Sequence, residues 1–320
     1  MNEGCPLSES PLVSVVILNY KRRDALRRVL DSVRAQEYPN REIILVDNNS
    51  GDEIRTFIES YAPEVELIEL PQNRGACGGR NAGIERARGQ IIITLDNDIF
   101  LESAFELSKV VTIFQARPGI HVIAFQLCDA ETGELRVREW CHPRDWKKFG
   151  QSEFETNYFV EGACAYRREV FDTSCLYYEP LFVYGEGHDL ALRFLDRGFR
   201  ILYAPQIRAR HQLGPGARNY ERTYYLHTRN YIWIAYKDYH FNEAVIYLFP
   251  KLLMMLYFTL RTGRFRGFLR GLRDGVLGLG HIRRERTPIS RPTARYFAEL
   301  EKLRPNWIQR FGRHKMEPQL

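Results

Sequence analysis

Four short apolar runs, separated by stretches of helical periodicity, constrain the fold of this chain more than any other feature. The runs cover residues 13–18, 43–46, 65–70 and 91–95. Between the first two, apolar residues recur at i, i+3, i+4 and i+7, which predicts an amphipathic helix: Leu26, Val29, Leu30 and Val33. Further helices are predicted over residues 54–61 and near 81–87. This alternation predicts an α/β fold with a doubly wound, mostly parallel sheet and helices on both faces.

Polar side chains follow all four predicted strands. Taken strand by strand, they are Asn19, Tyr20, Lys21 and Arg22, then Asp47, Asn48, Asn49, Ser50 and Asp52, then Asn73, Arg74 and Gly75, then Asp96 and Asp98. A single group of this kind is most often an ordinary turn. In doubly wound sheets, however, ligands bind outside the carboxyl ends of the strands, and four such groups at one edge indicate a binding crevice.

Two carboxylates one residue apart end the fourth run, in the sequence Asp96-Asn97-Asp98. Such a pair can hold Mg²⁺ or Mn²⁺ that also binds waters and a diphosphate. The same three residues are also common turn chemistry, so the motif alone leaves both interpretations open.

The middle of the chain is less regular. Strands are predicted over residues 122–125, 159–166 and 200–203, and a helix over 189–197. The stretch 129–157 is rich in Trp, His and charged residues and is interpreted as a variable insertion.

Charge and cysteine content indicate where the chain is basic and which cellular compartment it suits. The formal charge is +6, and the segment 261–291 holds nine arginines against Asp274 and Glu285. The basicity therefore belongs to the C-terminal part. The six cysteines form no Cys-x-x-Cys pair, which is typical of a reducing compartment. The N-terminus shows no basic or apolar signal region, so a cytoplasmic protein is predicted.

The C-terminal part combines an apolar run with arginines. Residues 244–260 are slightly short for a bilayer span and contain Pro250 and Lys251. Arginines interleaved with Phe and Leu follow, a pattern that suits peripheral contact with an anionic membrane. The alternative is a helical pair that packs on the α/β domain or on a second copy of the chain, as in a homodimer. No nucleic acid partner is expected, because no recognition motif is present.

With these residues and several later motifs, the chain resembles the family 2 glycosyltransferases, inverting enzymes with a GT-A fold. The resemblance covers residues 12–212. Its elements are the opening strand and Asn-Tyr-basic turn at 13–22, the strand and acidic turn at 42–52, the glycine-rich loop at 73–83, the Asp-x-Asp motif at 96–98, the acceptor-side strand at 159–168, the catalytic loop and helix at 184–193, and His211 at the late metal position.

The resemblance implies a metal-dependent transfer of a sugar from a nucleoside diphosphate donor to a hydroxyl acceptor. The implied donor-binding residues are Asn19, Tyr20, Asp47, Asn49, Arg74, Gly75, Arg80, Asn81 and Asp96, and the implied ligands of Mg²⁺ or Mn²⁺ are Asp98, Asp96 and His211. For three of them a plain alternative stays open. Asp47 could cap its turn, Arg80 could be a solvated residue at a helix start, and His211 could be a polar loop histidine beside Arg210.

Inversion needs a general base that takes the proton of the acceptor hydroxyl. The family carries acids in a Glu-Asp/Glu-x-Asp-Leu motif and often uses the second one. Here the motif is Glu186-Gly187-His188-Asp189, so the second acid is a glycine. Glu186 is the first candidate for the base and Asp189 the second, although Asp189 could instead cap a helix. His188 adds a group that titrates near neutral pH.

The predicted organisation has three parts: a tail over residues 1–11, a GT-A domain over 12–215, and a basic helical extension over 216–320. Within the domain, the nucleotide-sugar half covers about 12–100 and the acceptor half about 101–215. By resemblance, the extension points to the rhamnosyltransferase-like branch, which builds bacterial surface polysaccharides or glycolipids on saccharide or lipid-linked acceptors, peripheral on the inner face of the cell membrane. A competing hypothesis is a catalytically inactive nucleotide-sugar-binding subunit of a glycan assembly complex.

Overall fold

The computed structural model describes residues 7–51, 53–172, 175–212, 214 and 220–304. Its strands are β1 (Val13–Asn19), β2 (Arg41–Asp47), β3 (Glu66–Glu69), β4 (Ile91–Asp96), β5 (Ile99–Leu101), β6 (Val122–Asp129), β7 (Phe154–Thr156), β8 (Ala163–Arg167) and β9 (Ile201–His211). Its helices are α1 (Arg23–Arg34), α2 (Ile54–Tyr61), α3 (Gly75–Arg86), α4 (Glu106–Ala116), α5 (Trp146–Phe149), α6 (Glu169–Asp172), α7 (Glu186–Asp196), α8 (Tyr220–Asp238), α9 (Phe241–Thr262), α10 (Phe265–Leu277), α11 (Leu279–Ile282) and α12 (Arg291–Lys302).

The strands form one nine-stranded sheet in the order β3–β2–β1–β4–β8–β6–β9–β5, and β7 pairs with β9. The first four strands of this order are parallel, with β1 between β2 and β4. Strand β8 runs antiparallel to both β4 and β6. The predicted α/β class, with a mostly parallel sheet and helices on both faces, is confirmed, and its parallel part is the half that the alternating pattern covers.

Alternating side chains of β1 feed two separate cores. Val13, Val15 and Ile17 pack with α1, α2 and α4 on one face of the sheet. Val16 and Leu18 pack with α3, α7 and the C-terminal helices on the other face. Because both faces are covered, every residue of β1 is buried, which is why this strand appears as a nearly continuous apolar run.

The predicted glycine-rich loop before the third helix is wrong, because α3 already begins at Gly75. Gly75 itself has φ +71°, a conformation that favours glycine. The later glycines serve packing. A Cβ on Gly79 would lie 2.3 Å from Leu18 Cδ1, and a Cβ on Gly83 would lie 2.3 Å from Val16 Cγ1. The glycines therefore let α3 lie directly against β1.

Other boundaries also differ from the prediction. Helix α7 begins three residues earlier than predicted, at Glu186, and β8 is shorter than the predicted strand over 159–166. His211 ends β9 and is not on a loop. The stretch 129–157 is an ordered part of the domain, because its Trp140 is buried in the second core and its last residues form β7.

Helices α8 to α12 follow the sheet. Helix α8 contacts α7, α9 and α10, and so connects the extension to the domain. Within the described residues, α9 alone is long and apolar enough to cross a membrane by length and composition, and only 17% of its most apolar window is buried.

We expect Gly83→Ala to destabilise the fold. Its new Cβ would meet Val16 Cγ1 at 2.3 Å and Val46 Cγ2 at 3.0 Å, so α3 must move off the sheet. Overpacking of this kind costs about 1–3 kcal/mol of the free energy of unfolding, which urea denaturation measures. The matched control is Gly280→Ala in α11, where nothing lies within 4 Å of the added Cβ. Equal stabilities of the two variants would contradict this account of α3.

Candidate active site

The carboxyl ends of β1, β2 and β4 form one edge of the sheet, and the predicted polar residues lie along it. Asn19 is in register with Asp47, and Leu18 with Asp96. Asp98 follows in the turn between β4 and β5. The structure therefore brings together the polar groups that end three separate strands.

Asp47 is buried and accepts hydrogen bonds from both sides. Its Oδ1 accepts from Asn19 Nδ2 at 2.7 Å, and its Oδ2 accepts from the backbone N–H of Ser50 at 3.0 Å. The Ser50 hydroxyl also hydrogen-bonds Oδ1. Asp47 thus fixes the turn after β2 while it lies at the edge of the crevice, so the capping and binding interpretations are compatible.

Two asparagines that are not among the predicted donor-binding residues organise this edge. Asn97 Nδ2 donates to Asn19 Oδ1 and to the backbone carbonyl of Lys21, both at 2.8 Å. Asn48 Nδ2 donates to the carbonyl of Gly75 at 2.8 Å, and its Oδ1 accepts from the backbone N–H of Arg74 at 2.9 Å. Their position between selected residues was the only signal that could have identified them.

The Arg80 guanidinium lies buried at the centre of the site. Its Nη2 contacts Asp96 Oδ1 at 2.6 Å, and its Nη1 contacts Glu186 Oε1 at 3.4 Å. The Arg80 side chain is only 4% exposed, which excludes the alternative of a solvated residue at a helix start. Burial raises the pKa of Glu186, and Arg80 opposes that shift. One cation therefore joins α3, β4 and α7.

A second polar chain runs from Glu139 through His211 to Asp98. His211 Nδ1 lies 2.8 Å from Glu139 Oε2, and its Nε2 lies 3.4 Å from Asp98 Oδ2. Burial disfavours the imidazolium, but the hydrogen bonds to Asp98 and Glu139 raise the pKa of His211 to about 9. The Arg22 guanidinium also contacts Asp98. Asp98 therefore attracts cationic groups from two sides.

The side chains around Asp98 provide only some of the ligands that a divalent cation needs. Asp98 and His211 face each other, and Glu139 behind the imidazole is the kind of outer partner that orients a ligating histidine. The part of the chain that the structure describes contains no group of three or more His, Cys, Asp or Glu side chains close enough to hold a metal. Protein ligands here would leave positions for water and a diphosphate.

The predicted residues of α3 connect this helix to the segment before α7. Asn81 Nδ2 donates to the carbonyl of Tyr177 at 2.9 Å, and Asn81 Oδ1 accepts from the backbone N–H of Tyr177 at 2.9 Å. Arg74 contacts Glu179 Oε1 at 2.5 Å. A Cβ on Gly75 would clash with Phe182. These three residues therefore fix the rim of the crevice.

Tyr20 and Asn49 are the exposed members of the predicted donor set. The Tyr20 side chain is 40% exposed, and the Lys21 ammonium lies 5.2 Å from its ring centroid. Asn49 adopts φ +61° and donates from Nδ2 to the carbonyl of Pro71 at 2.7 Å. Both flank the buried Asp47 edge.

Two of the predicted catalytic residues, His188 and Asp189, make their contacts with side chains other than Asp96 and Asp98. Asp189 is fully buried and pairs with Arg193 and Lys237, at 2.5 and 2.6 Å. Burial favours the neutral form of Asp189, but the two cations hold its pKa well below the usual range. It therefore anchors α7 to α8.

The His188 imidazole belongs to an aromatic cluster. It stacks on Tyr247 at 4.9 Å between ring centroids, and its Nε2 lies 2.9 Å from the Tyr239 hydroxyl. Burial lowers the pKa of His188 to about 3, so the ring is uncharged at neutral pH. This placement connects α7 to α9.

Glu161 is the acid at this site that sequence reasoning missed. It precedes β8, and its Oε1 lies 1.7 Å from the position that a Cβ on Gly187 would take. Burial raises the pKa of Glu161 to about 8, and the neighbouring Glu186 adds to the shift. The glycine in the predicted catalytic motif is thus the residue against which a carboxylate from another element packs.

Comparison with protein families matches residues 14–174 to glycosyl transferase family 2. Among curated relatives, the O-antigen biosynthesis protein RfbC of Myxococcus xanthus is 29% identical over 228 residues, which are 64% of this chain and 18% of RfbC. The succinoglycan biosynthesis protein ExoO of Rhizobium meliloti is 39% identical over 93 residues, which are 29% of this chain and 27% of ExoO. The chain thus spans less than a third of the length of either relative.

Solved structures share the fold at low sequence identity. A mannosyltransferase from Pyrobaculum calidifontis, in complex with GDP-Man and Mn²⁺, aligns with a TM-score of 0.56 and 17% identity over 93% of this chain and 81% of its own. S. aureus TarS 1-349, in complex with UDP-GlcNAc, aligns with a TM-score of 0.58 and 15% identity over 91% of this chain and 90% of its own.

We expect the protein to lose stability in acid through His188. Its pKa is lowered to about 3 in the folded state, so the unfolded chain binds more protons once the pH falls below its ordinary value near 6.5. The contribution of the uncharged His188 ring to the free energy of unfolding is complete above pH 6.5 and is lost as the pH falls toward 3. Between pH 7 and pH 5 this loss amounts to about 2 kcal/mol.

Urea denaturation at pH 7 and pH 5 measures this effect in the wild type, in His188→Phe and in a control, His281→Gln, whose side chain is exposed. The loss between the two pH values should shrink by about 2 kcal/mol in His188→Phe alone. An unchanged loss in that variant would show that His188 is not buried as an uncharged ring.

Proposed function

The chain belongs to glycosyl transferase family 2, and we propose that it is a metal-dependent, inverting glycosyltransferase that uses a nucleoside diphosphate sugar and a hydroxyl acceptor. The observation that carries the proposal is the shared edge of β1, β2 and β4. It aligns Asp47, Asp96 and Asp98 along one crevice, in the order in which a nucleoside, a ribose and a diphosphate would follow each other.

The nucleoside end of the donor is assigned to the Asp47 side. Asn19 and Asn97 hold this edge rigid through their hydrogen bonds, so a bound base or ribose meets groups that are already oriented. Tyr20 is exposed beside it and offers a ring for stacking. One of the two structural neighbours is in complex with GDP-Man and the other with UDP-GlcNAc, which supports a nucleotide sugar as the class of ligand.

The diphosphate end is assigned to Asp98 and His211, which would hold Mg²⁺ or Mn²⁺ with Asp96 nearby. When bound, such a cation stabilises the negative charge that develops on the departing diphosphate. The Glu139 carboxylate orients the His211 ring from behind. The complex of one structural neighbour contains Mn²⁺, which supports a divalent ion at this end of the crevice.

Two measurements on the wild type test this function. Thermal unfolding with a panel of UDP-, GDP- and dTDP-sugars and Mn²⁺ should identify a donor, because a ligand at 100 times its Kd adds about 2.7 kcal/mol to the free energy of unfolding. Release of nucleoside diphosphate from that donor then measures catalysis. Binding without release would favour the inactive subunit, and no binding to any donor would contradict the proposal.

We expect Asp98→Asn to lower the Mn²⁺-dependent release of nucleoside diphosphate by about 100-fold or more, because the carboxylate that would bind the cation is gone. The matched control is Asp31→Asn, which changes an exposed carboxylate on α1, away from the crevice. It should release nucleoside diphosphate at the wild-type rate. Equal rates for the two variants would remove Asp98 from the site.

The acceptor side of the proposal concerns polysaccharide or glycolipid synthesis at a membrane. The names of RfbC and ExoO include O-antigen and succinoglycan biosynthesis, which supports an acceptor of saccharide or lipid-linked saccharide type. We assign the chain to the cytoplasmic side, on the inner face of the cell membrane, and assign the contact to α9 and α10.

These two helices expose large apolar side chains in unusual density. The exposed fraction of the side chain is at least half at Val245, Ile246, Phe249, Leu253, Leu260, Leu269, Val276 and Leu277. Arginines flank them: Arg261 lies in the last turn of α9, and Arg266, Arg270 and Arg273 lie on α10. An exposed apolar face with a basic border is typical of segments that lie on an anionic lipid surface.

Helix α9 is proposed to lie on the membrane and not to cross it. Its Met255, Phe258 and Thr259 are buried, and Tyr247 stacks on Tyr239, which directly follows α8, at 5.0 Å between ring centroids. One side of the helix is therefore covered by protein. Pro250 in its middle also departs from a regular span.

We expect the double variant Ile246→Ser with Phe249→Ser to weaken binding to vesicles of phosphatidylcholine and phosphatidylglycerol. The two side chains are 74% and 62% exposed, and loss of their insertion should weaken binding at least about tenfold. Co-sedimentation measures the bound fraction.

The control is Phe105→Ser, which removes a side chain that is 50% exposed at the start of α4. It should leave vesicle binding unchanged. Undiminished vesicle binding by the double variant would contradict the proposal. It would also be contradicted if the wild type does not bind vesicles but forms a dimer that dissociates in the double variant.

A further inference from the structure

At the position where the predicted catalytic motif lacks its second acid, a carboxyl group from another segment is present. Gly187 lies in the first turn of α7, directly after Glu186. A Cβ at this position would lie 1.7 Å from Glu161 Oε1 and 2.4 Å from Glu161 Cδ. The Glu161 carboxyl group therefore occupies the volume in which a side chain at position 187 would begin.

The backbone around Glu161 fixes this carboxyl group beside the donor edge. The carbonyl of Glu161 accepts from Thr94 Oγ1 at 2.5 Å, and the carbonyl of Gly162 accepts from the backbone N–H of Asp96 at 3.3 Å. A Cβ on Gly162 would lie 2.4 Å from Asp96 Oδ2, so this glycine lets the segment approach β4 closely. Glu161 thus lies between Asp96 and the start of α7.

The partners of Glu161 and Glu186 differ. Glu186 is 5% exposed and is fixed by Arg80. In the described part of the chain, the carboxylate of Glu161 has no hydrogen bond beyond its own backbone and no ion pair, and the residue is less buried than Glu186. A carboxyl group that no cation or donor holds in place is free to exchange a proton with a bound molecule.

Stability does not explain a glutamate at this position. Glu186 and Asp96 raise the pKa of Glu161, Asp96 also raises that of Glu186, and the nearby Arg80 guanidinium lowers both. Replacing one acid of such a cluster with an uncharged residue removes repulsion between like charges, so it should cost little stability. Acids that disfavour each other's charged forms in a crevice are more typical of a working site.

We propose that Glu161 is the general base of this chain, and that it reaches from the start of β8 the place that an acid at position 187 would reach from α7. The proposal rests on the glycosyltransferase function proposed above, and it replaces Glu186 as the first candidate. Glu186 is then a positioning residue that fixes Arg80.

In the proposed step, the acceptor hydroxyl oxygen forms a bond to the anomeric carbon, and the bond from that carbon to the diphosphate oxygen breaks with its electron pair on the diphosphate. The hydroxyl proton passes to the Glu161 carboxylate, which later releases it to solvent. Water is the acceptor when the donor is hydrolysed.

The test uses the full chain, the donor identified by thermal unfolding, Mn²⁺, and release of nucleoside diphosphate as the readout. Glu161→Gln should lower kcat by about 100-fold or more, with KM for the donor and the Kd of the nucleoside diphosphate within about twofold of wild type. Its thermal stability should be equal or higher. In the control, Glu155→Gln, the changed residue lies on β7 and pairs with Arg200. This variant should keep the wild-type kcat.

A reciprocal exchange separates catalysis from packing. Gly187→Asp alone should lose activity, because it displaces Glu161. Combining Glu161→Ala with Gly187→Asp clears the space and returns a carboxylate from α7, and should recover at least about tenfold of the kcat lost in Glu161→Ala.

Full activity of Glu161→Gln would overturn the proposal, and so would a loss of donor binding in that variant or a loss without recovery in the exchange. A wild type that binds no donor or releases no nucleoside diphosphate would instead overturn the proposed function, and this inference with it.

Discussion

The buried guanidinium of Arg80 is the interaction on which the rest of the site depends. It lies within 2.6 Å of Asp96 and 3.4 Å of Glu186, and so connects the strand that carries the predicted metal motif to the helix that carries the predicted catalytic motif. Removing it would leave several carboxylates buried together without a cation, which is strongly unfavourable. Arg80 reaches this place only because the glycines of α3 let the helix lie against β1. The spacing between helix and sheet therefore sets the geometry of the charges.

Much of the N-terminal half of the sheet could be predicted because its signals are local. A strand buried on both faces appears as an apolar run, and an amphipathic helix appears at its own period, so β1 and α2 begin and end close to the predicted residues. Since the ends of parallel strands share an edge, Asp47 and Asp96 could be expected near each other from the sequence alone.

The catalytic half could not be predicted to the same depth, for two physical reasons. Successive residues of a helix point about 100° apart, so Glu186, His188 and Asp189 cannot all face one crevice, and the sequence motif does not say which one does. Glu161 meets Gly187 across 26 positions of chain, through the pairing of β8 with β4, and a contact of that kind leaves no periodic trace. The prediction of a loop at the glycines of α3 was wrong for another reason. Glycine occurs both in flexible loops and where a helix packs closely on a sheet, and the sequence does not distinguish the two.

The overlap between Glu161 and the space above Gly187 also restricts how such a site can change over generations. A side chain gained at position 187 meets the carboxyl end of Glu161, which must then turn away from its present place. If Glu161 is the base, as proposed above, the effect of an acid at position 187 therefore depends on which residue occupies position 161. The two positions should change together among relatives, so that an acid at one accompanies a small residue at the other.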